Sequence, residues 1–145
     1  MDICHDVGHS LNPALDRGQI EGGFIQGMGW LTTEELVWDN NGRLETNAPA
    51  SYKIPAIGDT PPEFNVELFA KSPNTEETVF RSKAVGEPPL ILAISVWCAL
   101  KDAISSLSGY TLSPKLDSPA TPERVLFACG QMNDAHEGVS PNALV

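Results

Sequence analysis

Gly18-Gln19-Ile20-Glu21-Gly22-Gly23-Phe24-Ile25-Gln26-Gly27-Met28-Gly29 decides how this chain folds. Ile20, Phe24, Met28 and, just beyond, Leu31 recur at spacings of four, four and three, which is one stripe of a helix. Asp16, with Gln19 three residues on, has the pattern of a capping box and predicts a helix start near Arg17. The glycines are the anomaly, because each costs roughly 1 kcal/mol against alanine inside a helix. Something must need to come close to this backbone.

On the N-terminal side, Asp2 to Val7 reads as a strand entering a turn with no preceding element to pair with, as if the chain began inside a fold. On the C-terminal side, Asn41-Gly42 between Val37-Trp38 and Leu44-Glu45 marks a hairpin. Pro49, Pro55, Pro61 and Pro62 make residues 47–62 an extended connector. Phe64, Val66 and Leu68 alternate with Asn65, Glu67 and Phe69, a half-buried strand, and Val79-Phe80-Arg81 forms another short strand or loop.

Leu90 to Leu100 carries no charge and predicts a helix buried nearly all round, turning amphipathic at Lys101-Asp102 and stopping near Gly109. Thr121 as N-cap and Pro122 at the first helical position open a last helix. The expected fold class is α+β: two long helices on a small, mostly antiparallel sheet, part of a larger domain. Residues 1–129 form the globular portion and residues 130–145 a loose tail.

A chain of 145 residues supports one compact core. Its net charge of −10 excludes a surface that tracks nucleic acid or anionic lipid by charge. Cys4, Cys98 and Cys129 lie far apart with no C-x-x-C pair, so neither a disulfide framework nor a cysteine-rich metal site is written here, and a reducing, cytoplasmic setting fits. The N-terminus lacks the pattern of a signal peptide, and the apolar runs read as too short to span a bilayer.

Glu87 is the principal candidate for chemistry. Pro88 and Pro89 stiffen the backbone behind it, and Gly86 removes a side chain on its other flank. A carboxylate so held suits a general base, although an acidic residue stabilising a helix N-terminus has the same local pattern. Gln19, at the expected helix start, offers an amide to an anionic or pterin-like ligand, or merely closes its capping box. His5, Asp6 and His9 lack the glutamate of a zinc-protease helix and read as turn residues rather than metal ligands. Cys98 reads as a small core residue, and Trp30, Trp38 and Trp97 as packing.

Three stretches in this order carry a resemblance: Asp6-Val7-Gly8 with Leu11-Asn12-Pro13-Ala14 and Gly18-Gln19; Ser51-Tyr52-Lys53-Ile54-Pro55-Ala56; and Ser82-Lys83-Ala84-Val85-Gly86-Glu87-Pro88-Pro89-Leu90. With Pro119-Ala120-Thr121-Pro122-Glu123-Arg124, they resemble the C-terminal part of the molybdopterin-binding subunit of the xanthine dehydrogenase family of molybdenum hydroxylases. The resemblance implies that Glu87 is the catalytic base and that Gln19 contacts a molybdenum-pyranopterin cofactor. It also implies a purine substrate, 2Fe-2S clusters and FAD in other domains or subunits, and the remainder of the molybdopterin subunit as partner. The family's other active-site loops have no counterpart in this chain, so the chain alone is expected to be inactive. An aldehyde oxidase or other aromatic-heterocycle hydroxylase shares the motif, and a non-catalytic scaffold module is the alternative from a different class.

Overall fold

Asn12 Oδ1 accepts from the N–H groups of Ala14 and Leu15, which makes Asn12 the N-cap of helix α1, Pro13–Thr32, with Pro13 at the position where a missing N–H costs nothing. In this computed structural model, which describes residues 1–138, with side chains through Asp134, α1 thus begins at Pro13 rather than near Arg17. Asp16 is not the cap; its carboxylate accepts from Ser10 Oγ at 2.5 Å. The expected stripe holds, since Ile20, Phe24 and Met28 are all buried.

The chain divides into two compact units. The first comprises Met1–Met28 and Pro55–Ala93. Strand β1, Asp2–His5, pairs with β2, Asn65–Leu68, in register Ile3 with Val66 and His5 with Leu68. The pairing is parallel, which corrects the antiparallel expectation. The two strands are separated by α1 and the long connector, and a crossover of that kind returns the chain in the same direction, whereas a hairpin reverses it. Ile3, Val7, Ile20, Phe24 and Ala93 are buried in this unit, and the Phe24 and Phe64 rings meet at 5.5 Å. Val79–Arg81 is a 3₁₀ turn rather than a strand, with Phe80 and Arg81 both at positive φ.

The second unit comprises Gly29–Ile54 and the chain from Ile94 onward. Its hairpin turns at Asp39–Gly42, where Gly42 takes φ +79° and the Asp39 carboxylate caps the N–H groups of Asn41 and Arg43. Helix α3, Ile94–Ser105, ends in a 3₁₀ turn that Gly109 stops at φ +60°. Helix α4, Pro122–Gly138, starts as expected, with Thr121 accepting from the Val125 and Arg124 N–H groups. Ile104, Leu116, Ala120, Ala128 and Met132 form this unit's core, with Trp97 and Leu100 packed against it. The residues after Gly130, expected as a tail, are helical as far as Gly138; the rest of that segment lies outside the described residues.

The stretch from Leu90 to Leu100 departs most from expectation. It is two helices, α2 (Glu87–Leu92) and α3, interrupted at Ala93. Ile91, Leu92, Ile94 and Cys98 are exposed, so it is not buried all round and Cys98 is not a core residue. Trp30 and Trp38 are exposed as well. Glu87–Ser108 is in fact long and apolar enough to cross a bilayer by length and composition, contrary to the sequence reading. Its two prolines, the interruption at Ala93 and the charges of Lys101 and Asp102 are all unfavourable in such a span.

Candidate functional site

The glycines of α1 fall into two classes. A Cβ on Gly23 would stand 2.8 Å from the Gly86 carbonyl oxygen, and one on Gly27 would stand 2.2 Å from that of Leu90 and 2.8 Å from Ala93 Cβ. These two positions are bare because the Gly86–Ala93 backbone lies directly against the helix, which answers what needed the close approach. A Cβ on Gly18 or Gly22 would meet nothing within 4 Å. Those two face open space.

That space is a cleft of about 470 Å³ whose walls include Gly18, Gln19, Gly22, Gln26, Gly86 and Glu87. The structure therefore brings together the two residues singled out from sequence, although they are far apart in the chain. Gln19 Oε1 lies 3.6 Å from where a Cβ on Gly86 would be. Gln19 sits in the second turn of α1 rather than at its N-terminus, so it presents a side-chain amide and not a set of free backbone N–H groups. Glu87 is the first residue of α2, with both prolines behind it in the same turn, and its side chain is exposed to the cleft. Gln26 was missed from sequence. It lies two helical turns beyond Gln19 and hence on the same face, a spacing that had the signal in it.

The segment leading into Glu87 is fixed by its pairing with the chain just after β1. The Lys83 N–H donates to the Val7 carbonyl at 2.8 Å, the His9 N–H donates to the Arg81 carbonyl at 3.0 Å, and Gly8 bridges Ser82. Lys83 Nζ also pairs with the Asp6 carboxylate at 2.5 Å. That ammonium, and then the Gly8 N–H, hold the Asp6 carboxyl below the usual carboxylate range. Gly8 stands at φ +65°, and a Cβ there would come within 2.4 Å of the Arg81 carbonyl oxygen. A larger cavity of about 750 Å³, walled partly by His9, Asn74 and Arg81, includes neither Glu87 nor Gln19. Among the described residues no three His, Cys, Asp or Glu side chains are grouped to hold a metal ion.

Residues 1–61 match the molybdopterin cofactor-binding domain. Over 131 residues the chain is 56% identical to xanthine dehydrogenase/oxidase of Gallus gallus, a match covering 88% of this chain and 10% of the relative. Over 138 residues it is 50% identical to xanthine dehydrogenase 1 of Arabidopsis thaliana, with the same coverage of 88% and 10%. It thus spans about a tenth of the length of these relatives. Among solved structures it is similar to quinoline 2-oxidoreductase of Pseudomonas putida 86, with a TM-score of 0.76 and 27% identity over 90% of this chain and 16% of that one. It also shares the fold of CO dehydrogenase from Oligotropha carboxidovorans, with a TM-score of 0.73 and 20% identity over 92% of this chain and 16% of that one. The α+β fold with a small sheet is shared with these solved structures.

Proposed function

We propose that this chain is the part of a molybdenum-dependent xanthine dehydrogenase that carries the catalytic base, Glu87, and one cofactor contact, Gln19. The observation behind the reading is the cleft in which a proline-braced carboxylate and two glutamine amides face open space left by Gly18 and Gly22. These residues fit a pterin: an amide both donates and accepts hydrogen bonds, as the pterin edge does, and the bare helix face leaves room for a flat ring system. When bound, the molybdenum pyranopterin supplies oxygen transfer and two-electron redox chemistry that side chains do not have.

The part played by this chain is binding and proton transfer. Gln19 and Gln26 orient the cofactor through their amides. The Glu87 carboxylate takes the proton from the attacking oxygen, held in place by Pro88 and Pro89. The parent enzyme hydroxylates hypoxanthine and xanthine to urate in purine catabolism, its electrons leaving through iron–sulfur and FAD sites in other domains to NAD. The names of its half-identical relatives support that substrate, and the likeness to a quinoline oxidoreductase keeps another aromatic heterocycle as the second reading. Free, exposed Cys4 and Cys98 support a reducing cytoplasmic setting. The test is Glu87→Gln in the assembled enzyme. Collapse of turnover with molybdenum retained is the expected result; unchanged turnover would reduce Glu87 to a helix-terminal acid in a scaffold.

A further inference from the structure

We infer that Asp6 and Lys83 are positioning residues for Glu87, forming a clasp that sets where the base stands; the inference rests on the catalytic reading of that glutamate. Glu87 is anchored by contact of the flanking Gly86–Ala93 backbone with Gly23 and Gly27. That contact fixes the segment against α1 but needs a second anchor to fix its entry. The entry is the run Ser82 to Gly86, and its only charged residue is Lys83. Two backbone hydrogen bonds, which together make the Gly8–Ser82 bridge, tie the start of that run to the chain just after β1. The Asp6–Lys83 ion pair closes over them.

The geometry is over-determined on the Asp6 side too. Its Oδ1 accepts from the Gly8 N–H at 2.8 Å while its Oδ2 takes Lys83 Nζ. One carboxylate thus holds both the positive-φ turn at Gly8 and the lysine of the facing segment. An exposed ion pair contributes little to stability by itself, so its effect belongs on geometry: displacing a catalytic group by about 1 Å costs on the order of 100-fold in rate.

The experiment uses the assembled, molybdenum-loaded enzyme with four variants: Lys83→Met, Lys83→Arg, Glu87→Gln and the charge swap Asp6→Lys with Lys83→Asp. Lys83→Met is expected to lower kcat by about tenfold or more at unchanged KM and molybdenum content. It is also expected to speed hydrogen exchange at the Lys83 and His9 amides, a readout independent of turnover. Lys83→Arg and the charge swap should restore most of both. In the Glu87→Gln background Lys83→Met should lower kcat no further, because the clasp acts only through that carboxylate. If Lys83→Met does not assemble, Asp6→Asn, which keeps the shape and drops the charge, is read in the same way.

Unchanged exchange, unchanged kcat, or an equal fall in kcat in both backgrounds overturns the clasp and leaves the catalytic reading standing. Full turnover in Glu87→Gln alone overturns the catalytic reading and the clasp with it.

Discussion

The α-carbon of Gly27 faces the carbonyl oxygen of Leu90 so closely that a methyl group on it would stand 2.2 Å away. The obstacle is backbone, which a side-chain rotation does not clear. Gly27→Ala should therefore destabilise the enzyme by about 1–3 kcal/mol, as overpacking of a filled interior does, and displace α2 with Glu87. Gly23→Ala, at 2.8 Å from the Gly86 carbonyl oxygen, should do the same more weakly. Thermal melting of the assembled enzyme ranks the two, and a Tm for Gly27→Ala equal to wild type would contradict the packing.

Gly22→Ala should behave in the opposite way. Nothing lies within 4 Å of the added methyl group, so helix propensity predicts a gain of up to about 1 kcal/mol. The same methyl group protrudes into the cleft, and molybdenum content should fall. A variant that is both less stable and fully loaded would place the cofactor elsewhere.

The chain expressed by itself should neither turn over purine nor retain molybdenum, since it corresponds to a tenth of the length of its relatives. Metal analysis of the purified chain and purine-dependent dye reduction check this. Stoichiometric molybdenum in the isolated chain would refute it.

The ion pair of Asp6 has a defined acid limit. Its carboxyl is lowered below the ordinary 3.8 by Lys83 and then by the Gly8 N–H. A group with a depressed folded pKa contributes its stabilisation in full above the unfolded value and loses it as pH falls through the folded one. Protection of the Lys83 and His9 amides, taken relative to their intrinsic exchange rates, should therefore stay constant from neutral pH down to about 5 and be lost only below the ordinary carboxylate range. Asp6→Asn should abolish that acid step; a step near pH 6 would assign the change to a histidine instead.

Tyr52 gives the alkaline counterpart. Its hydrogen bond to Glu34, followed by burial, raises the phenol above its ordinary 10.0. The contribution is present in full below that value and is lost as pH rises through the folded pKa. Ultraviolet titration should find one late tyrosine, and Glu34→Gln should return it to the ordinary range.

What was legible in the sequence was local. The stripe of Ile20, Phe24 and Met28, the Asn41-Gly42 turn and the Thr121-Pro122 helix start each depend on residues a few positions apart, and each stands in the structure. The α1 start was misread because two caps competed, and Asn12-Pro13 won over Asp16 since proline cannot donate and is pre-set for the first helical position. The exposure of Ile91, Leu92, Ile94 and Cys98 was illegible because an apolar run says that a surface is to be covered, not that this chain covers it. Glu87 and Gln19 were found one by one; that they share a cleft depends on Gly23 and Gly27, whose spacing announced a close approach without naming what approaches.

The parallel pairing of β1 and β2 also bears on how the protein is made. Asp2 and Asn65, hydrogen-bonded side chain to side chain, are 63 positions apart. At roughly 5–20 residues per second of synthesis, β1 emerges and waits about 3–13 s before its partner exists. During that interval the side of the strand that will meet β2 is an open edge, available to other nascent chains. The first β-strand of this unit is thus the one most in need of a chaperone.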